Sequence, residues 1–300
     1  MSDDNKFSFR PRARIMRTLG NELISNDQVA VIELVKNSFD ADATKVLIKF
    51  IEPLEVSKGA IEIIDNGSGM SLDILKKAWM EPATPTKKLA TKSKKLQRRV
   101  LGEKGIGRFA SMRLSKELEL FSKIENSQLQ VYGFFDWSQF DDPEKYLDEV
   151  KIFSEERAID NQGLLEALSN LNWGDDSLNL KENEASGTYL KLHKLSHLWG
   201  EEELSNLFRG LSRLISPFFD DKKFRIKFDT PDKYSQFNDF VSSPPIVQHP
   251  HYKINGVIDN NGKCYLKISL EVNGQETEVK GGFLRTTNSK LQLEEMKQIH

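Results

Sequence analysis

The first hundred residues show two periods of hydrophobic and polar positions, one typical of a helix and one typical of strands. From Ser25 or Asn26, either of which can cap a helix, apolar side chains recur every three or four residues as far as Phe39. This period predicts an amphipathic helix that buries one face. Three polar residues share the opposite side of this helix: Glu33, Asn37 and Asp40.

Alternation with a period of two predicts strands at residues 45–50 and 60–65, and in the second strand Ile61, Ile63 and Asp65 point the same way. The stretch 141–184 is polar, and we expect it to hold helices and an insertion. The remaining predicted elements are strands at 118–122, 130–135 and 187–193, a short helix capped by Ser71, and helices at 107–114 and 202–215.

The character of the sequence changes near Ser243. Alternating runs at 251–258, 264–272 and 276–283 are separated by Asn-Gly pairs, which are a strong signal for β-hairpins. A domain boundary is therefore expected between residues 218 and 245. The expected parts are an N-terminal arm at 1–20, a main domain at 21–217 and a β-rich domain at 218–300.

Composition narrows the class of protein. The 300 residues carry 43 basic and 45 acidic side chains and 38% apolar residues, and the formal charge of −2 gives no global attraction to nucleic acid. No apolar run is long enough to span a membrane, and no secretory leader is recognised. The single cysteine, Cys264, excludes a disulfide framework and a cysteine-built zinc site. We therefore expect a cytoplasmic protein.

A basic stretch without apolar period runs from Met80 to Leu101. It holds seven lysines and arginines against one acid, Glu81. We expect a long mobile loop, because a loop of this length in a compact domain usually serves a function or is disordered. Its cations are either simply solvated or contact phosphate, nucleic acid or a protein partner.

Two glycine-rich turns flank this basic stretch. The first, Asn66-Gly67-Ser68-Gly69-Met70, follows Asp65, and the second, Gly102-Glu103-Lys104-Gly105-Ile106-Gly107, opens a helix. The second is not a dinucleotide fingerprint because no strand directly precedes it, and it is not a Walker P-loop because no Gly-Lys-Ser/Thr ends it. Each turn alone is a weak signal. Their order along the chain, after a helix that carries Glu and Asn one turn apart, is far more specific.

This order of motifs resembles the GHKL ATPase superfamily, which includes DNA gyrase B, the ninety-kilodalton heat-shock chaperone, histidine kinases and MutL. The run from Glu33 to Thr44 and the run from Gly102 to Ala110 look closest to its chaperone-, MutL- and MORC-like branch. The resemblance covers about residues 15–215. It implies an α+β fold, a two-layer α/β sandwich of the Bergerat type, followed by a β-rich, transducer-like domain that we expect to be incomplete.

The resemblance implies a role for each residue near the base of a nucleotide. Asp65 would accept a hydrogen bond from the adenine amino group, and Thr188 would join it to the base through a water. Gly67 and Gly69 would let the backbone approach the purine, since they have no Cβ. Met70 would line the adenine pocket.

A second set of residues would handle phosphate and metal. Glu33 matches the family's general base, and Asn37 offers Mg²⁺ a neutral oxygen ligand. Asp40 would either orient its neighbours or serve a structural role, and Lys36, off the Glu33 stripe, is interpreted as a surface residue. A glycine loop whose N–H groups face phosphate, with a lysine in reach, would be formed by Gly102, Lys104, Gly105, Ile106 and Gly107.

The implied function is Mg²⁺-dependent binding and hydrolysis of ATP to ADP. Nucleotide state would drive closure of a lid at about 80–107, homodimerisation, and remodelling of a protein client or DNA through downstream domains. One alternative is a non-hydrolysing, nucleotide-gated binding module. A histidine kinase is disfavoured, because Glu33 suits hydrolysis and no phosphoacceptor helix precedes it. The biological process stays open among chaperone-like remodelling, DNA repair or chromatin-like compaction, and antiphage defence.

The β-rich region suggests that the chain is an N-terminal fragment. Two hairpins are marginally stable unless something packs on them, and nothing in the sequence after residue 291 supplies a cover. In MutL- and gyrase-like relatives the second domain delivers a lysine to the γ-phosphate. By position, Lys290 or Lys280 would take this role.

Overall fold

The computed structural model describes residues 8–81, 92–102, 107–159, 163–173, 184–215 and 224–243. Beyond these, it describes the backbone of strand segments at 252–258, 263–272, 275–280, 284–287 and 290–291. The chain divides into two compact units, Met1–Ser242 and Ser243–His300.

A mostly antiparallel sheet forms the centre of the first unit. Its strand order is β5-β4-β3-β6-β2-β1-β7, and only β7 runs parallel to its neighbour, β1. The seven strands are β1 Lys45–Ile51, β2 Ala60–Asp65, β3 Ser115–Lys123, β4 Leu129–Asp136, β5 Phe153–Ala158, β6 Gly187–Leu195 and β7 Arg225–Asp229.

In the part of the chain that the structure describes, helices cover one face of this sheet and a single short helix lies on the other. The helices are α1 Ile15–Leu23, α2 Asp27–Asp40, α3 Leu72–Leu75, α4 Gly107–Leu114, α5 Leu164–Ser169 and α6 Glu201–Ser212. A π-helical turn, Lys76–Met80, continues α3, and short 3-10 turns lie at Trp137–Phe140, Leu147–Glu149 and Asp232–Phe237.

The hydrophobic core lies between the sheet and the larger helix layer. Side chains from α1, α2, α4 and α6 join the apolar residues that alternate strands present on that face, such as Ile61 and Ile63 of β2. A smaller cluster on the other face packs Leu164 and Ala167 of α5 against Ile64. All six residues of β2 are buried, because the strand is central and both of its faces are covered. The predicted α+β, two-layer sandwich is confirmed, with α5 as an addition on the second face.

The predicted elements near the first glycine turn match the structure closely. The helix α2 spans Asp27–Asp40, and the side chain of Asn26 caps it by accepting the Val29 N–H at 2.8 Å. The Ser71 side chain caps α3 in the same way. Among the helices and strands of the first unit, α1, the edge strand β5 and the strand β7 were not predicted.

The first unit extends beyond the expected end at residue 217. The strand β7 pairs with β1 in register from Lys45↔Arg225 to Lys49↔Asp229. Ile226 and Phe228 are fully buried in the main core. The expected arm at 1–20 also contains part of α1, whose Met16 belongs to that core. Both segments are therefore integral to the sandwich.

The second unit is an antiparallel sheet. Its strand β9 Lys263–Val272 pairs with β8 Tyr252–Ile258, β10 Gln275–Lys280 and β11 Leu284–Thr287, and β11 pairs with β12 Lys290–Leu291. The strands β8, β9 and β10 correspond to the three predicted alternating runs, whereas β11 and β12 were not predicted. The Asn-Gly pairs between the runs lie outside the described residues.

Candidate functional site

Asp65, the residue expected to read an adenine, is buried at the end of β2 with only 6% of its surface exposed. Its Oδ2 accepts a hydrogen bond from the Ser38 hydroxyl of α2 at 2.8 Å, and its Oδ1 accepts the Gly67 N–H at 2.8 Å. Burial raises the pKa of the Asp65 carboxyl to about 6, against the lowering effect of hydrogen bonds from Gly67, Ser38 and Thr188. The carboxylate is thus fixed between the sheet and α2.

The structure brings Thr188 next to Asp65, as expected. The two residues are register partners in the β2–β6 pair. The Thr188 hydroxyl lies 2.9 Å from the Ser122 hydroxyl of β3, and Ser122 also accepts the Met70 N–H at 2.9 Å. A small polar network therefore connects the ends of β2, β3 and β6 to the turn that carries Met70.

Gly67 and Gly69 are required by packing against the chain itself. A Cβ on Gly67 would lie 2.8 Å from the Ala41 carbonyl oxygen and 2.9 Å from Asp65 Oδ1. Gly69 has φ +65° and would place a Cβ against the Lys123 carbonyl. The expected reason, room for a purine, is therefore accompanied by a structural one: the turn lies tightly between α2 and β3.

Glu33 of α2 is not a free carboxylate. Its Oε1 accepts a hydrogen bond from Lys36 Nζ at 2.7 Å, and their side chains are 18% and 25% exposed, respectively. The interpretation of Lys36 as a surface residue off the Glu33 stripe is wrong, because residues three apart on a helix are neighbours. Asn37 follows on the same helix with intermediate burial.

Asp40 contacts the beginning of the second glycine turn. Its Oδ1 accepts the Leu101 N–H at 2.7 Å and its Oδ2 accepts the Gly102 N–H at 2.9 Å. In this structure the Gly102 N–H therefore bonds to a carboxylate instead of pointing to open space. Lys104, Gly105 and Ile106 lie outside the described residues, and Gly107 is the first residue of α4.

The second half of the stretch that we expect to form a mobile loop over 80–101 makes defined contacts in the structure. Residues 92–102 hydrogen bond to the end of α2, and an isolated bridge pairs Lys92 with Arg99. The first half of the expected loop, residues 82–91, lies outside the described residues.

The two helices that flank the site are joined by an ion pair. Asp27, in the first turn of α2, accepts a hydrogen bond from Arg113 Nε at 3.0 Å, and Arg113 lies in the last turn of α4. His197 Nδ1 lies 2.8 Å from the other oxygen of Asp27. Because α4 starts at the glycine turn, this pair fixes the helix that follows the turn against the helix that carries Glu33.

Sequence reasoning missed Ser38 and Ser122, the two buried hydroxyls nearest the candidate site. Ser38 stands on the buried side of α2, and a polar residue within an apolar stripe is the signal that could have identified it. In the same way, Ser122 stands on the face of β3 that carries the buried Leu118 and Leu120. Neither signal alone names the partner residue, which only the fold brings into contact.

Two further findings concern metal ions and membranes. Among the residues that the structure describes, no group of three or more His, Cys, Asp or Glu side chains could hold a metal ion. Within the same part of the chain, no helix combines the length and hydrophobicity that crossing a membrane requires.

Comparison with known proteins identifies the domain. Residues 24–162 match the family model of the histidine kinase-, DNA gyrase B- and HSP90-like ATPases. A search of curated proteins finds no match to the chain. The matched range runs from the residues before α2 to the end of β5, so it contains Glu33, Asn37, Asp65 and the second glycine turn. ATP binding or hydrolysis is the general property of such domains. The first unit of this chain thus contains an ATPase-type domain of the GHKL superfamily.

Proposed function

We propose that the first unit binds ATP with Mg²⁺ and hydrolyses it to ADP and phosphate. The observation that carries the proposal is the position of Asp65. Its buried carboxylate lies directly beneath Ser38 of α2, the helix that also bears Glu33 and Asn37. One helix thereby connects a candidate base-reading group with candidate catalytic and metal-binding groups.

Recognition of adenine follows from the chemistry of Asp65. An ionised carboxylate only accepts hydrogen bonds, so it suits the exocyclic amino group of adenine. Guanine presents a carbonyl oxygen at the same position and would leave Asp65 facing another acceptor. Thr188, the register partner of Asp65, offers a hydroxyl for the water-mediated contact. Met70, partly buried against the main core, supplies apolar surface nearby.

The residues present fit Mg²⁺ bound mainly through the nucleotide. Asn37 offers one neutral oxygen, and no cluster of acidic ligands exists among the described residues. Mg²⁺ tolerates such a site because it keeps several waters and takes substrate phosphate oxygens as ligands. When bound, the ion would neutralise charge on the phosphates. We propose that the glycine loop makes the remaining phosphate contacts through Gly105, Ile106, Gly107 and Lys104.

Glu33 is the proposed general base. Its carboxylate would accept a proton from the water that attacks the γ-phosphate and would orient that water. Lys36 occupies one oxygen of Glu33 at 2.7 Å and leaves the second oxygen for this role.

A second candidate function is a nucleotide-gated binding module that does not turn ATP over. The Glu33–Lys36 ion pair favours it, since Lys36 already occupies one of the two oxygens of the proposed base. Other parts of the proposal come from the resemblance alone. These are the chaperone-, MutL- and MORC-like branch, a nucleotide-dependent homodimer, a protein client or DNA as partner, a transducer-like role for the second unit with Lys290 or Lys280 near the γ-phosphate, and a cytoplasmic location.

The two candidates are separated by substituting Glu33. We expect Glu33→Gln to bind ATP with nearly wild-type affinity and to lose about a hundredfold or more in phosphate release. Glu22→Gln, on the exposed side of α1, is the control and should be unchanged. Tight ATP binding by wild type without measurable phosphate release would favour the gated module. Wild-type turnover by Glu33→Gln would place the base elsewhere.

A further inference from the structure

Two carboxylates at the end of α2 hold the segment that leads into the second glycine turn. We name residues Lys92–Gly102 the clamped segment. Asp42 Oδ2 accepts the Lys95 N–H at 2.7 Å and its Oδ1 accepts the Leu96 N–H at 3.2 Å. Asp40 takes the other end of the segment through the Leu101 and Gly102 N–H groups at 2.7 and 2.9 Å. The segment is therefore tied at two points to one helix end.

The clamped segment also has internal structure that keeps its shape. The Ser93 N–H donates to the Arg98 carbonyl at 2.8 Å, and the Arg98 N–H donates back to Ser93 Oγ at 2.9 Å. Ser93 itself is buried at 4% exposure. These reciprocal bonds close a compact turn, and the turn presents its N–H groups to Asp42.

Arg98 adds a third attachment. Its Nη1 donates to the Ala43 carbonyl at 2.6 Å, and its guanidinium lies 4.7 Å from the ring centre of Phe39 and 5.7 Å from that of Phe224. Phe39 belongs to α2, so the side chain of Arg98 stacks on the same helix end that supplies Asp40.

Asp42 has an unusual backbone for a carboxylate-bearing residue. Its φ is +63°, in the left-handed region that glycine adopts most easily and aspartate tolerates. Burial works to raise the pKa of its carboxyl, but hydrogen bonds from Ser93, Lys95 and Leu96 outweigh it and leave that pKa below its usual value. A glycine would suit the backbone better, so the carboxylate is the feature that distinguishes Asp42 at this position.

We propose that Asp40 and Asp42 are positioning residues that hold Gly102, and with it the start of the phosphate-binding loop, at a fixed distance from Glu33 and Asn37. This inference rests on the proposed ATP site. The physical link is short, because Asp40 lies one turn after Asn37 and bonds directly to the Gly102 N–H. Because the segment is already ordered before nucleotide binds, the free energy of nucleotide binding is not reduced by the entropic cost of ordering it.

The direct test uses Asp42→Gly, which suits the left-handed backbone and removes the side chain with its carboxylate. Asn126→Gly is the matched control, because Asn126 also has a positive φ, +61°, but lies in the turn between β3 and β4. Trypsin should cut the nucleotide-free Asp42→Gly protein within Lys94–Arg99 about tenfold faster than wild type, since charge-assisted bonds are lost. KM for ATP should rise about tenfold while kcat changes less than threefold, because Glu33 and Asn37 remain in place.

Two substitutions at Asp40, one mild and one severe, distinguish a positioning role from general destabilisation of the fold. Asp40→Asn keeps one oxygen acceptor and should lie between wild type and Asp40→Ala in KM for ATP. A purely structural role would lower the thermal midpoint and the active fraction without this grading.

The outcomes distinguish the two proposals. Unchanged trypsin cleavage in Asp42→Gly would overturn the clamp. Faster cleavage with unchanged KM would overturn the positioning role and leave the ATP site standing. Absence of ATP binding by wild type would remove the proposed function and the positioning role with it.

Discussion

At the scale of single residues, the candidate site depends on the ionisation of Asp65. The pKa of this carboxyl is about 6 in the folded protein and 3.8 in its ordinary state, because burial disfavours the charge. Its contribution to stability is therefore fully present below about pH 4 and is lost as pH rises through 6. The affinity for nucleotide should change with pH in the opposite direction and rise as Asp65 ionises. Only the ionised carboxylate accepts a hydrogen bond from the adenine amine through either oxygen.

We predict that adenosine binding weakens as pH falls below 6, approaching a tenfold loss per pH unit. Adenosine is the suitable probe because it carries no phosphate that titrates in this range. Calorimetry between pH 5 and 8 measures the midpoint. Ser38→Ala removes a hydrogen bond that favours the ionised form, so it should move the midpoint above 6. Ser212→Ala, another buried helical serine, is the control and should leave the midpoint in place. A flat pH profile would show that Asp65 does not contact the base.

At the scale of elements, the Asp27–Arg113 pair links α2 to α4. Both side chains are largely buried, at 14% and 18% exposure. We predict that Arg113→Gln lowers the free energy of unfolding by about 1–3 kcal/mol, because it leaves Asp27 without its main charged donor. Urea unfolding measures this. Arg209→Gln, which removes an exposed arginine of α6, should change stability by less than about 0.5 kcal/mol. Equal effects in the two variants would contradict a specific link between the helices.

Sequence patterns were sufficient to predict the elements whose hydrophobic period is strong and whose signals lie close together in the chain. The helix α2, the strand β2 and the caps at Asn26 and Ser71 all follow from residues close together in the chain. The edge strand β5 was missed because its centre, Ser154-Glu155-Glu156-Arg157, is polar on both faces. The strand β7 does carry a local period of two, with Ile226 and Phe228 between polar residues, but five residues are too short a run to stand out without the pairing to β1.

The candidate site shows the same division between local and distant information. The sequence named Asp65, Asn37 and Thr188, and the fold brings Asp65 and Thr188 together in register. The sequence alone could not reveal that Ser38 bonds to Asp65, or that Asp42 bonds to residues of the basic stretch. Such contacts join segments separated by dozens of residues, and no local period encodes them.

At the scale of the whole molecule, the two units predict where the chain can be shortened. A chain ending at Ser242 should fold cooperatively and bind ATP within about threefold of the full chain, since every described site residue lies in the first unit. A chain ending at residue 217 lacks β7 and the fully buried Ile226 and Phe228, and each lost side chain removes about 1.5–3 kcal/mol of burial. Thermal unfolding distinguishes them. Equal stability of the two shortened chains would contradict the place of β7 in the core.

The most direct test of the account compares ATP binding by wild type, Asp65→Asn and Glu62→Gln in one calorimetric experiment. Glu62 is the matched control, because it is also a buried carboxylate of β2 but bonds to Tyr189 on the opposite face of the sheet. The account predicts that wild type and Glu62→Gln bind ATP in preference to GTP, and that Asp65→Asn loses detectable ATP binding. Equal ATP affinity in Asp65→Asn and wild type would contradict the assignment of Asp65 as the adenine-reading residue, and with it the proposed site.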